Sequence, residues 1–264
     1  FRSQALMKAL QKHNAAYGCA ILMEVATGEI RAIANLSRSN TDSSNYNETL
    51  NYALGYPTEP GSTFKLASVL AALDTFNVQL TEPIRVGNGT CKYFDRQMKD
   101  SHEPPKSVLT LQECFEQSSN VGISKLIQNY FGKSPELYIN YLKKFHLDRK
   151  LDLSIPGEGE PRIKHPKDID WYGTSLPWIS IGYESLITPL QMLTLYNAVA
   201  NNGKMVKPRF VRAIKQKGRS TRQFETEVLN ESIVKPQTIA KARQLLEGVI
   251  KNGTGKILNI PEFT

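Results

Sequence analysis

No apolar stretch of this sequence approaches the roughly 18 residues that a membrane-crossing helix requires. The best, Leu66 to Leu73, falls far short, so the chain as given reads as soluble. Cysteine is scarce. Cys19, Cys91 and Cys114 are an odd number, form no C-x-x-C, and stand at no useful spacing from a His, so a structural zinc site is not expected. A Cys91–Cys114 bridge and three buried free thiols are both open on this evidence. There is no internal repeat and no linker separating two domains. Nor does the chain open with Met or a charged-then-apolar leader, so an export signal or anchor is expected to have preceded Phe1 or never to have existed.

What is present is an ordinary globular composition. The 264 residues are 40% apolar and 22% charged, near the averages for folded domains and enough to bury a core, which excludes disorder and collagen-like repeats. Lys and Arg outnumber Asp and Glu by 33 to 25, a net charge of +8. Basic charge attracts nucleic acid, acidic membranes and acidic polymers without discrimination. No RNA or DNA motif accompanies it, so a nucleic-acid partner is not expected.

Periodicity divides the chain. Ala5, Leu6, Ala9 and Leu10 recur at helical spacing within Arg2 to Asn14. Gly18 to Val25, the turn Ala26-Thr27-Gly28 and Glu29 to Ala34 read as a β-hairpin. Ser37 to Glu48 is polar enough for a surface loop, and it holds a Ser43-Ser44-Asn45 string that reads as turn chemistry. Thr63 to Leu73 is apolar on nearly all sides and predicts a buried central helix. Short strands are expected at Ile84 to Val86 and Lys92 to Phe94, then a helix from Thr110 with Glu113 completing its start signal and helical character through Gln128. Ser134-Pro135 and Thr188-Pro189 open further helices, the second stopping at Asn201-Asn202-Gly203. Leu151 to Pro177 reads as a long functional loop, Val206 to Ile214 as a strand, and Pro236 to Lys251 as a last helix.

The chemistry concentrates in Glu59-Pro60-Gly61-Ser62-Thr63-Phe64-Lys65. Ser62 stands at the entry to the buried helix, with Lys65 one turn later on the same face. Lys65 is the only charged residue between Glu59 and Asp74. A cation near a helix N-terminus is opposed by the macrodipole. Burial among Phe64, Leu66 and Ala67 would push its pKa down, toward a neutral amine able to take the Ser62 proton. The other reading of Ser62 is a helix N-cap. S-x-x-K is a weak string, and the chain carries its own control in Ser232-Ile233-Val234-Lys235, which reads as chance. Gln117-Ser118-Ser119-Asn120 places a hydroxyl and a carboxamide two apart between helical segments. Ser118 can relay a proton and Asn120 can hold an amide carbonyl, with capping again the alternative. Trp171, Tyr172, Trp178 and Tyr183 cluster near the long loop as a candidate groove lining or as core. Lys204, Lys207, Arg209, Arg212, Lys215, Lys217, Arg219 and Arg222 make a basic tract, either a solvated face or a contact for acidic polymers or lipid headgroups.

These strings, in this order, resemble the penicillin-binding proteins, specifically the class B high-molecular-weight transpeptidase domain of the division type. The resemblance runs from the hairpin Gly18 to Ala34 through Glu59–Lys65 and Ser118-Ser119-Asn120-Val121-Gly122. It continues in Ile179-Ser180-Ile181-Gly182-Tyr183, Thr188-Pro189-Leu190-Gln191, Asn201-Asn202-Gly203 and Gly253-Thr254-Gly255. It implies an α+β fold, a mixed α/β sandwich like that of the serine β-lactamases, with a helical lobe and an antiparallel sheet, over a single transpeptidase domain spanning 1–264. The implied activity is D,D-transpeptidation of peptidoglycan stem peptides ending in D-Ala-D-Ala through an acyl-enzyme, with β-lactams trapping the same serine. Ser62 would be the nucleophile, Lys65 the base, Ser118 the relay and Asn120 the amide clamp. No metal or cofactor is implied. The implied setting is periplasmic, on an inner-membrane anchor, with a division-site glycosyltransferase and other division proteins as partners.

One departure stands out. No K-T-G or K-S-G string occurs, and the nearest is Lys251-Asn252-Gly253. The resemblance places the third motif shortly after Thr264, so the expectation is a domain C-terminally incomplete on one side of its sheet. An oxyanion hole with one donor in place of two loses ~10²–10³ in rate, so impaired chemistry is expected of this chain. A β-lactam sensor or hydrolase would share Ser62 and Lys65, but no glutamate is placed to activate a deacylating water. A non-catalytic division scaffold is the binding-class alternative.

Overall fold

The computed structural model describes residues 2–39, 45–217 and 219–260; Ser43 and Ser44 of the Ser43-Ser44-Asn45 string, and the stretch after Ile260, lie outside them. The chain builds two compact units. One is Phe1–Thr58, His146–Arg162 and Leu186–Ser232; the other is Glu59–Phe145, Ile163–Ser185 and Ile233–Thr264. Each is assembled from three stretches far apart in sequence, so no single cut separates them.

The first unit opens with α1 (Arg2–Lys12). Its buried stripe is Leu10 with Leu6 and Met7, packed on Leu36 and Tyr46, while Ala5 and Ala9 stay exposed. The larger Met7 side chain takes the place that the alanine spacing suggested, because it removes more apolar area from water. Strands β1 (Tyr17–Met23) and β2 (Ile30–Arg38) pair antiparallel, from Tyr17 against Ser37 to Met23 against Ile30, and β3 (Tyr46–Asn47) adds to β2. Ser37 and Arg38 therefore belong to a strand and not to the polar loop. At its end Arg38 Nη2 donates to Asn14 O at 2.6 Å and Ser37 Oγ is bonded to Thr49 Oγ1 at 2.6 Å. At the hairpin turn Gly28 has φ +74, and a Cβ there would lie 2.4 Å from the Lys207 carbonyl. Helix α2 (Tyr52–Gly55) follows, placing Leu54 in a cluster with Leu151 and Leu190.

In the second unit a 3₁₀ turn (Gly61–Phe64) runs directly into α3 (Lys65–Phe76), which buries every residue from Lys65 to Asp74. Strand β4 (Pro83–Arg85) precedes the hairpin of β5 (Thr90–Tyr93) and β6 (Arg96–Lys99), and β7 (Val108–Thr110) returns to pair with β4. Helical character does not persist from Thr110 to Gln128. It breaks at residues 117–119 between α4 (Leu111–Glu116), which starts on a Thr110/Glu113 capping box, and α5 (Asn120–Phe131). Helix α6 (Pro135–Lys144) begins on its proline. Most of the long loop is irregular until α7 (Ser175–Ile179).

Back in the first unit, α8 (Pro189–Ala200) is opened by a Thr188/Gln191 capping box. The single strand expected over Val206 to Ile214 is two. Met205–Val206 pairs with Val228–Asn230, and Ala213–Gln216 pairs with Arg219–Gln223. Pro208 between them has no N–H to give to a ladder. Helix α9 (Pro236–Lys251) closes the second unit, its start held by the buried Asp74, whose Oδ1 accepts from Lys235 N at 2.7 Å and Thr238 Oγ1 at 3.0 Å. Helices α5, α6 and α9 all pack on α3. The strand pairs named here are antiparallel, which together with the helices makes the fold α+β. Among the described residues no helix is long and apolar enough to cross a membrane. Cys19, Cys91 and Cys114 are all free, so the alternative of a Cys91–Cys114 bridge is not realised.

Candidate active site

Ser62 sits in the 3₁₀ turn and not at an α-helical N-cap. Neither the turn nor α3 has a side-chain cap, which removes the capping reading for this serine. The tighter winding has a direct consequence: at three residues per turn, side chains at i and i+3 eclipse. Ser62 and Lys65 thus stack on one face, and the Lys65 N–H donates to the Ser62 carbonyl. Ser62 is exposed whereas Lys65 is 2% exposed, a hydroxyl at the surface with an amine sunk beneath it. The Ser62 N–H belongs to a first turn, whose N–H groups have no partner within the helix and stay available to an incoming oxyanion.

The loop before Ser62 is clamped by backbone. Gly61 N donates to Gly182 O at 3.1 Å, and Glu184 N donates to Glu59 Oε1 at 2.9 Å. Gly182 has φ +85, and a Cβ there would lie 2.1 Å from Gly61 O, so no other residue permits this approach. From the other side Ser68 Oγ, one turn into α3, bonds Ser180 O at 2.7 Å and Tyr138 OH at 2.7 Å.

Lys65 Nζ donates to Ser118 O at 2.6 Å and reaches Ser118 Oγ at 3.0 Å. Among the described residues it makes no hydrogen bond to Ser62, so the amine is held by the second motif while the first sits one turn above it. Burial pushes the Lys65 amine down to about 8, against the attraction of Asp100, which favours the ammonium. At pH 7 about a tenth of the molecules then carry a neutral amine, compared with roughly one in three thousand for an unperturbed lysine. The Cys114 thiol is pushed up to about 12 by burial and stays protonated. Cys19 and Cys91 are raised by the same cause, so no thiolate competes with the serine.

Ser118 has φ +55, the left-handed residue that closes α4: its N–H donates to Phe115 O at 3.0 Å and the next N–H, of Ser119, to Cys114 O at 2.8 Å. The cap of α5 is Ser119, whose Oγ accepts from Gly122 N at 2.8 Å; Ser118 is left out of the capping and turned toward Lys65. Asn120 is the first residue of α5, and its Nδ2 donates to Lys99 O at 2.9 Å. The sequence reading missed two participants. Ser119 was passed over between its neighbours. Asp100 belongs to no string, and only its contacts mark it.

A family model, the penicillin-binding protein transpeptidase domain, matches residues 18–263. The chain belongs to the penicillin-binding protein transpeptidase family. It is 28% identical over 256 residues to penicillin-binding protein PbpB of Mycobacterium tuberculosis, covering 92% of this chain and 36% of that protein. To peptidoglycan D,D-transpeptidase FtsI of Buchnera aphidicola it is 29% identical, covering 97% of this chain and 45% of that protein. The chain thus spans less than half the length of these relatives. Among solved structures, penicillin-binding protein 3 from M. tuberculosis complexed with ampicillin superposes with a TM-score of 0.80 at 27% identity, covering 98% of this chain and 59% of that one. The transpeptidase domain of Burkholderia pseudomallei penicillin-binding protein 3 matches with a TM-score of 0.78 at 23% identity over 98% of this chain and 70% of that one, a likeness of fold.

Other residues singled out in this transpeptidase domain have structural employment. Lys235, the lysine of the second S-x-x-K, donates from Nζ to Asp74 O at 2.9 Å. Lys251-Asn252-Gly253 is the end of α9, with Asn252 N bonded to Gly248 O, and is not a strand. The four aromatics near the long loop do not stack on one another. Trp178 meets Tyr93 edge-on at 6.1 Å, and Tyr172 lies under Lys164 at 5.8 Å. Within the basic tract Lys204, Lys207 and Arg209 pair with Glu231, Glu227 and Glu29, and Arg222 covers Phe224.

Proposed function

We propose that this chain is the transpeptidase module of a class B, division-type penicillin-binding protein, cross-linking peptidoglycan stem peptides by serine acyl transfer. The observation that carries the proposal is the buried Lys65, lowered to about 8 and bonded to Ser118, one eclipsed turn below an exposed serine. Ser62 Oγ attacks the carbonyl between the two D-Ala residues as Lys65 Nζ takes its proton. The new C–O bond leaves an oxyanion facing the Ser62 N–H. The C–N bond then breaks, and the departing D-Ala amine receives a proton from the Lys65 ammonium by way of the Ser118 hydroxyl. Asn120 holds the donor peptide's amide. An amine from a neighbouring stem peptide next attacks the ester, loses its proton along the same route, and returns Ser62 as a hydroxyl. A β-lactam enters at the first step and stays as an acyl-enzyme.

The relatives' names support the D,D-transpeptidase reading, and the Ser180-Ile181-Gly182-Tyr183 run supports the division branch. The substrate sets the location outside the cytoplasm on a membrane anchor, with a division-site glycosyltransferase and other division proteins as partners. The test is incubation with a labelled penicillin followed by intact mass and peptide mapping. One adduct per molecule on Ser62, absent from Ser62→Ala and Lys65→Ala, is expected. An unlabelled intact protein, or a label surviving in Ser62→Ala, overturns the assignment. An adduct lost within seconds would make the chain a hydrolase instead.

A further inference from the structure

The break Ser118–Asn120 is closed on its α4 side by its own backbone, with Ser118 N donating to Phe115 O at 3.0 Å and Ser119 N to Cys114 O at 2.8 Å, the helix-end pattern that takes a left-handed residue at Ser118. What holds its α5 side comes from the end of one hairpin. Lys99, the last residue of β6, offers its carbonyl to Asn120 Nδ2. Asp100, the next residue and 7% exposed, accepts from Ser119 Oγ at 2.8 Å through Oδ2 and from Val121 N at 2.8 Å through Oδ1. Its own N–H donates to Gly89 O at 2.8 Å, tying the residue to the turn that leads into β5. The Ser119 hydroxyl has one proton. Given to Asp100, it leaves a lone pair for the Gly122 N–H, so the α5 cap has a single polarity set by the carboxylate. A negative group at this helix end is also favoured by the macrodipole.

Building on the acyl-transfer reading above, we propose that Asp100 is a positioning residue for that reaction. By gripping Ser119 and Val121 on either side of Asn120, it fixes the start of α5 against the end of α4, and with it the place from which Ser118 presents its carbonyl and its hydroxyl to Lys65. A helix cap alone would need only the Val121 contact. The bridge through Ser119 leads to the residue next to the relay. Asp100 also acts on Lys65 by charge, favouring the ammonium. Cys114 on α4 also faces Lys65 but stays protonated, and burial in α3 opposes the pull of Asp100. Loss of the Asp100 charge therefore moves two observables in separable directions: geometry loosens, and the ionisation of Lys65 moves to lower pH.

The experiment measures the second-order acylation rate of the intact protein by a fluorescent penicillin between pH 6 and 10. Four variants are compared with the wild type: Asp100→Asn, Asp100→Glu, Ser119→Ala and Asp100→Asn/Ser119→Ala. In Asp100→Asn the plateau rate is expected to fall on the order of 10²-fold, the cost of a small misplacement of a reacting group, and the pH midpoint to drop below that of the wild type. Asp100→Glu restores the charge and returns the midpoint. Ser119→Ala lowers the plateau without moving the midpoint. The double variant falls well short of the product of the two single losses, because both changes cut the Ser119–Asp100 bond while each also removes one contact of its own. A folded Asp100→Asn with wild-type plateau and midpoint, or losses that multiply in the double variant, overturns the positioning role. If Asp100→Asn does not fold, Ser119→Ala decides: a wild-type plateau there is equally fatal. A wild type that takes no label on Ser62 would sink the acyl-transfer reading and this proposal with it. A labelled wild type beside an indifferent Asp100→Asn sinks this proposal alone.

Discussion

Two lysines in this chain follow a serine by three residues at a helix start, and they have opposite fates. Lys65 is buried, pushed down by desolvation to about 8, and donates to a left-handed serine in the second motif. Lys235 is exposed, stands just ahead of Pro236, and spends its amine on the Asp74 carbonyl at the end of α3. The string is the same. What differs is the wall behind it, because an amine becomes a base at neutral pH only where water is kept from stabilising its charge. The Ser62 turn leads into a helix buried for ten consecutive residues, Lys65 to Asp74. Lys235 has no such cover.

The comparison can be broken most decisively at the serines. Ser62→Ala should abolish covalent labelling by penicillin altogether while Ser232→Ala leaves the labelled fraction at the wild-type value, read by intact mass. Next in size is a charge that cannot be removed. Lys65→Arg keeps a cation of similar reach that stays protonated, so loss of the base should cost ~10²–10⁴ in acylation rate; Lys235→Arg should cost nothing. A smaller effect sharpens the contrast through pH. The wild-type acylation rate should rise about tenfold from pH 7 to a plateau, with a midpoint about 8 set by Lys65, and a midpoint near that of free lysine would show that the amine is not desolvated. The same ionisation has a stability counterpart. Lys65 is depressed in the folded state, so between about 8 and the ordinary lysine value the unfolded chain binds more protons, and stability rises with pH through that window. Urea midpoints of the wild type, referenced to Lys65→Met, should climb accordingly. Smallest of all, Lys235→Met removes one hydrogen bond to Asp74 O and should lower stability by about 0.5–1.5 kcal/mol, with acylation untouched.

Much of the fold was legible because its signals are local. Thr110 with Glu113, Thr188 with Pro189, and the prolines at 135 and 236 mark helix starts within a turn of themselves, and each helix begins there. The hairpin was legible from its alternation and its Gly28 turn. Less local features were not. The extension of β2 to Arg38 comes from pairing with Tyr17 on one side and with Tyr46 and Asn47 on the other, and the break at Pro208 splits what hydropathy alone joins. The site divides in the same way. Ser62, Lys65, Ser118 and Asn120 lie in two short strings whose spacing carries chemical meaning. Asp100 sits 19 residues from the serine it holds, in a stretch with no pattern of its own.

The order of residues alone determined which side chains are available for acyl transfer and that Ser62 and Lys65 share a helical face, because three-residue spacing near a helix start leaves little choice. Only tertiary structure decided that the turn is 3₁₀, that Lys65 is sealed from water, that Ser119 and not Ser118 caps α5, and that Asp100 bonds Ser119 and Val121 at the start of α5. Desolvation and long-range hydrogen bonds exist only once distant segments have packed, and the pKa of a lysine is a property of that packing.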